Sequence, residues 1–168
     1  VLFPITLITL LIIFIKKKII KPIKFDIPII CVGNIYLGGT GKTPLSIKIY
    51  EILNKLNVNA ATVKKNYSDQ KDEQLLLKQK TTLIIVKTRK NAIHEALRHN
   101  YNTLIFDDGL QESQIDFDKK IVCFKTKNWI GNGLLIPAGP MREKISSLKK
   151  FDAVVLNGNS NNIEQIEK

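Results

Sequence analysis

The sequence predicts an α/β protein: a P-loop NTPase-type open, mostly parallel sheet flanked by helices, with an N-terminal apolar membrane-associated helix. Three observations predict it. Short apolar runs alternate with segments of helical period, the signature of parallel strands joined by crossover helices. One junction carries Gly38-Gly39-Thr40-Gly41-Lys42-Thr43, and a later apolar run ends in Asp107-Asp108. Residues 1–15 hold no charge, and Lys16, Lys17 and Lys18 follow at once.

At 168 residues the chain fits one domain with a real core. Its 44% hydrophobic and 24% charged content is that of a globular chain. A net charge of +11 favours anionic partners. Nucleic acid is not expected, because there is no RNP-like aromatic motif, zinc-finger spacing or basic stripe interleaved with aromatics. Cys31 and Cys123 each sit in an apolar run and read as buried thiols of a reducing compartment.

In chain order, residues 1–24 read as an apolar membrane anchor with a basic flank, and residues 25–168 as the phosphate-binding domain. Fifteen helical residues reach only about 22 Å, short of a bilayer core of about 30 Å. Lysine snorkelling past Ile19 and Ile20 would extend the reach, and a buried core helix is the alternative. The lysine cluster would stay on the cytoplasmic side. Pro22 to Pro28 is a linker. Ile27–Val32 is continuously apolar, as a strand buried on both faces should be.

Glycines between a strand and a helix let backbone amides surround a phosphate, helped by the helix dipole. Lys42 would reach β/γ-phosphates and the Thr43 hydroxyl would sit on Mg²⁺. The alternative is a glycine turn in an ordinary βα unit. The loop is divergent, because Tyr36 stands where G-x-x-x-x-G-K-[ST] has its first glycine. The helix after it has Leu45, Ile49, Ile52, Leu53 and Leu56 on one face and ends at Asn57. A strand is expected over Asn59–Val63, and Lys64 to Lys71 reads as a polar loop. A helix opens at Asp72-Glu73, where acidic residues suit the dipole, and carries Leu75, Leu76 and Leu77. Leu83–Val86 is a strand, and Arg89 to His99 a helix with Ala92, Ile93, Ala96 and Leu97 inward. His94 and His99, five apart, do not form a metal pair and read as surface residues.

Thr103 to Phe106 is a strand with Asp107 at its tip, the place for a carboxylate that holds Mg²⁺. Adjacent aspartates on a strand point to opposite sides, so at most one of the pair should face the metal closely, and a turn with an Asx hydrogen bond is the alternative for either alone. Strands are also expected over Ile121–Phe124 and Asp152–Leu156, with Gly131 to Pro140 as a rigid loop between them.

Several motifs together resemble the tetraacyldisaccharide 4'-kinase family, the lipid A kinases of Gram-negative bacteria. VGNIYLGGTGKTP, DEQLLL, TRKNA, DDGLQ and GNGLLIPAGPMRE occur in the family's order, over roughly residues 1–157. The family pattern is VGN-x-x-x-GG-[ST]-GKTP, GDEP, DDG-[FL]-Q and LLPAGPLRE. The resemblance implies a membrane-associated transferase of lipid A biosynthesis at the cytoplasmic face of the bacterial inner membrane. It would move the γ-phosphate of ATP to the 4'-hydroxyl of a tetraacyldisaccharide 1-phosphate, giving lipid IVA, with ATP and Mg²⁺ as cofactors and a lipid-linked disaccharide and the membrane as partners. It also implies roles. Gly38, Gly39, Thr40, Gly41, Lys42 and Thr43 would cradle ATP. Thr43, Asp107 and Asp108 would organise Mg²⁺. Asp72 would deprotonate or orient the hydroxyl with Glu73 in support, and Arg142 would contact a substrate phosphate.

The chain departs from the pattern in places. GDEP reads Lys71-Asp72-Glu73-Gln74, the serine-arginine-glycine-tyrosine segment reads Lys64-Lys65-Asn66-Tyr67, and Glu112 replaces a common histidine after DDGLQ. The family's C-terminal lobe, with the histidine that partners the catalytic aspartate, is expected to lie outside this sequence. Two other readings stay open: a membrane-tethered nucleotide-binding switch, and a non-catalytic remnant of such a kinase. For a guanine-specific switch, the nearest NKxD-like string, Asn54-Lys55-Leu56-Asn57, lacks the aspartate.

Overall fold

The computed structural model describes residues 12, 15, 19–66, 70–126 and 130–158. Most of the apolar run 1–15, Lys16 to Lys18, Tyr67 and the tail past Gly158 lie outside the described residues. Among the described residues no helix is long and apolar enough to cross a membrane.

The elements in order are β1 (Ile29–Gly33), α1 (Lys42–Lys55), β2 (Ala60–Lys65), α2 (Lys71–Lys80), β3 (Leu83–Val86), α3 (Arg89–Arg98), β4 (Thr103–Asp107), β5 (Lys119–Lys125), a 3₁₀ helix (Ile145–Lys150) and β6 (Ala153–Asn157). The described strands form one sheet in the order β3-β2-β4-β1-β5-β6, with all pairings parallel. The expected parallel α/β sheet is therefore present. β1 lies inside, between β4 and β5, which is why IICVG is apolar without alternation.

Alternation along the strands sorts side chains to two faces. Val32, Ile105 and Cys123 face α1 and pack on Leu45, Ile49 and Leu53. Cys31, Val63, Leu104 and Phe106 face the other way, onto Ala92, Ile93 and Ala96 of α3. No helix intervenes between β4 and β5. Ile115 and Phe117 of that connection cover β4 instead, and Phe117 meets Phe106 edge to face at 5.6 Å. The linker is anchored there too: Lys24 pairs with Asp118 at 2.6 Å, and the same carboxylate accepts from the Ile29 amide at 2.8 Å.

Several expectations shift. Lys64 and Lys65 belong to β2, because that strand pairs with β3 as far as Lys65↔Val86. β5 is longer than Ile121–Phe124, extended at both ends by pairing with β1 and β6. Leu97, Ile52, Leu56, Leu75 and Leu76 are exposed, since only part of each helix face reaches the sheet. Of the leucines at 75–77 only Leu77 is buried. Cys31 and Cys123 are free and buried, and burial pushes the Cys123 thiol up to about 12.

Candidate phosphoryl-transfer site

Residues 34–41 connect β1 to α1 across the C-terminal edge of the sheet, where parallel α/β folds place their ligands. Gly41 has φ +91°, and a Cβ there would lie 2.6 Å from the Asn157 amide nitrogen. The left-handed backbone therefore favours glycine here, and a larger residue would also have to displace the Asn157 side chain. Asn157 donates to the Thr40 carbonyl at 3.4 Å. From the other side the loop is braced by residues 130–142. The Leu37 amide donates to the Pro140 carbonyl at 2.8 Å, the Arg142 amide to the Ile35 carbonyl at 2.7 Å, and Tyr36 bridges to Met141. Tyr36 at the usual glycine position is thus part of this seam. Within it, a Cβ on Gly139 would come 2.4 Å from the Leu134 carbonyl oxygen, so the tight fold of the GNGLLIPAGP segment needs glycine there.

α1 starts immediately after Gly41 and buries Lys42, Thr43 and Ser46 against the tip of β4. The fully buried Asp107 carboxylate is the hub. It accepts from Thr43 Oγ1 at 3.1 Å, from Ser46 Oγ at 3.1 Å and from Lys64 Nζ at 2.6 Å. Lys64, itself 1% exposed, also donates to Glu73 at the start of α2. Burial alone would lower the Lys64 pKa, but the two carboxylates more than offset it and hold the pKa above the usual lysine value.

Asp108 does not follow simple strand alternation. The strand ends at Asp107, and Asp108 has φ +59°. That left-handed turn brings its carboxylate to the phosphate-loop lysine, with Lys42 Nζ at 3.9 Å. Arg142 reaches the same oxygen at 3.4 Å and Gln111 Oε1 at 3.2 Å, while Gln111 donates to the Asn34 carbonyl at 2.9 Å. So Asp107 and Asp108 both face the phosphate-loop helix, Asp107 through Thr43 and Asp108 through Lys42.

Lys42, Thr43, Asp107, Asp108, Glu73 and Arg142 thus gather at one end of the sheet. Asp72 is next to Glu73 on the first turn of α2, but its side chain is exposed. His94 and His99 are exposed on α3, away from this edge. Ser46, Lys64, Gln111 and Asn157 are additional members that the sequence did not single out. Ser46 has a readable signal, since it follows Thr43 by three residues and shares its helix face.

The residues fit a phosphate and a hard cation. Thr40 Oγ1 is buried in the loop with no hydrogen-bond partner among the described residues, so a polar ligand would satisfy it. Among the described residues no group of three or more His, Cys, Asp or Glu forms a metal cage. Mg²⁺ typically takes one or two carboxylates together with phosphate oxygens and water. Thr43 and Asp107 offer oxygens of that kind.

The model of the family described as tetraacyldisaccharide-1-P 4'-kinase matches residues 1–168. A tetraacyldisaccharide 4'-kinase of Pelagibacter ubique is 52% identical over 139 residues, covering 83% of this chain and 44% of the relative. One from Methylobacillus flagellatus is 35% identical over 165 residues, covering 85% and 49%. The chain therefore spans about half the length of the curated relatives it matches. Among solved structures, the "apo" form of LpxK from Aquifex aeolicus in complex with ATP superposes with a TM-score of 0.77 at 24% identity, over 93% of this chain and 57% of that one. With the family model matching the whole of it, this chain belongs to the tetraacyldisaccharide-1-P 4'-kinase family.

Proposed function

We propose that this chain carries the nucleotide-binding part of an ATP-dependent kinase that phosphorylates the 4'-hydroxyl of tetraacyldisaccharide 1-phosphate, forming lipid IVA. The observation that carries the reading is the convergence of Lys42, Thr43, Asp107 and Asp108 at the C-terminal ends of β1 and β4. The loop amides and Lys42 bind and orient the phosphates of ATP. Thr43 and Asp107 would hold Mg²⁺, which supplies charge neutralisation on those phosphates when bound; Asp108 adds a carboxylate beside it. Asp72 accepts the proton of the 4'-hydroxyl, with Glu73 fixing its helix turn. Arg142 exchanges its contacts with Asp108 and Gln111 for the substrate phosphate, which its guanidinium fork suits.

The substrate named for the relatives is acylated, and two features support a lipid here. A cleft of about 340 Å³ lies beside the DDGLQ turn, lined by Ile20, Leu110, Phe117 and Phe151 together with charged residues of both signs, Lys120 and Lys150 against Glu112, Asp116 and Glu143. Ile12, Ile15 and Ile19 are exposed in the N-terminal segment. The N-terminal segment would associate with the cytoplasmic face of the inner membrane, its lysines against anionic headgroups.

The test supplies ATP, Mg²⁺ and tetraacyldisaccharide 1-phosphate to the whole protein that carries this chain and follows label from the γ-phosphate into lipid IVA. Turnover is expected, falling about a hundredfold or more in Asp72→Asn with ATP affinity held within about twofold. ATP binding with no label reaching the lipid overturns the kinase reading in favour of a nucleotide-binding switch or a non-catalytic remnant.

A further inference from the structure

Lys64 is among the largest fully buried side chains in the described structure, and it is charged. β2 and β4 run in parallel register with Val63 opposite Phe106, so the next pair is Lys64 and Asp107 at the strand ends. Both point to the α1 face, as Thr62 and Ile105 do two residues earlier. The ammonium lies 2.6 Å from Asp107 Oδ2 and also holds Glu73, whose own side chain is 45% exposed.

A buried ion pair is a weak device for stability, because desolvation of the charges consumes most of what their attraction returns. Its location here is informative. Asp107 belongs to the nucleotide side of the site through Thr43 and Ser46. Glu73 belongs to the first turn of α2, which carries Asp72. A single ammonium joins the two sides. It also offsets one negative charge where an anionic nucleotide must approach.

We infer that Lys64 is a positioning residue: it ties the acceptor-side turn of α2 to the nucleotide-side carboxylate Asp107 and thereby fixes Asp72 relative to the phosphate loop. The inference rests on the kinase reading for its chemistry but not for its geometry. Among the described residues Lys64 bonds Asp107 and Glu73, and it acts through them.

The experiment uses three full-chain variants, Glu73→Gln, Lys64→Met and Lys64→Arg, and two readouts. Hydrogen exchange of the Leu75 to Lys78 amides should speed up by about tenfold in Glu73→Gln, with the β1 and β4 amides unchanged. In the lipid assay, Glu73→Gln and Lys64→Met should lower kcat by about tenfold or more while KM for ATP moves by no more than about twofold, and Lys64→Arg should recover part of kcat. Glu73 is half exposed, so its variant folds even where Lys64→Met does not. The exchange arm needs no turnover, so it stands even where the kinase reading fails. Unchanged exchange in Glu73→Gln overturns the tie. A loss that falls on KM for ATP with kcat intact overturns the positioning role.

Discussion

Asp107→Asn removes the charge at the centre of the buried cluster while keeping its shape. Lys64 then faces a neutral amide at the position now 2.6 Å away, and one amide hydrogen points at a donor, either Lys64 or one of the hydroxyls of Thr43 and Ser46. Breaking a buried ion pair by removing one partner costs about 3–5 kcal/mol. Lys64 keeps Glu73, whose carboxylate is partly hydrated, so the lower end applies, about 3 kcal/mol. For a chain of this size each kcal/mol moves Tm by about 2–4 °C, so the melt should fall by about 6–12 °C. Ser46→Ala, which removes one neutral donor from the same carboxylate, should cost about 1 kcal/mol and a correspondingly smaller shift. The assay is thermal unfolding followed by far-ultraviolet circular dichroism at pH 7 in EDTA. The double variant Asp107→Asn/Lys64→Met supplies the sharpest check. It removes the orphaned ammonium and should melt above Asp107→Asn. A single-variant shift below about 2 °C, or a double variant that melts lower still, refutes the account of Lys64 as a buried charge that needs Asp107.

Lys42→Ala should abolish ATP binding measured by calorimetry, since it removes the buried cation that the first turn of α1 sets at the phosphate loop, 3.9 Å from Asp108. Unchanged affinity would remove the phosphate-loop assignment. Lys64 has a raised pKa in the folded chain, so its contribution is complete below the ordinary lysine value of 10.5 and is lost as pH rises through the higher folded value. The unfolding midpoint should therefore drop more steeply above pH 10.5 in the parent than in Lys64→Met, and parallel curves would contradict this. Deleting residues 1–24 should move the protein from the membrane pellet to the soluble fraction, and pelleting that persists counts against the anchor.

Much of the nucleotide side was legible because its signals are local. Glycines at 38, 39 and 41 followed by Lys-Thr mark a strand-to-helix phosphate loop within six residues, and the apolar runs of β1 and β4 mark buried parallel strands. What stayed hidden depends on register. Lys64 sits in a run of polar residues that reads as a loop, and only pairing of β2 with β3 and β4 makes it a strand residue facing Asp107. Asp108 leaves the strand in a left-handed turn that no alternation rule anticipates. Arg142 bonds Asp108 and Gln111 because residues 130–142 fold back along the phosphate loop, a contact that no local pattern announces. Leu97 matched the helix period but falls at the margin of the face that α3 turns to the sheet.

The interior position of β1 also governs the order in which the protein can be made. Its neighbours β4 and β5 emerge long afterwards: Ile29 pairs with Leu104 and Ile30 with Lys119. At a synthesis rate of about 5–20 residues per second, roughly 4–15 s pass between the appearance of the first strand and that of its first partner. Throughout that interval IICVG is an apolar strand with both edges open, and the glycine loop after it has no Asp107 to close against. Nucleotide can therefore not assist the early chain; it can stabilise only a nascent protein extended past β4. Slow, long-range closure of this kind leaves the half-made chain open to aggregation. Codon changes that hasten translation between Ala60 and Asp107 should shorten that window and raise the soluble yield.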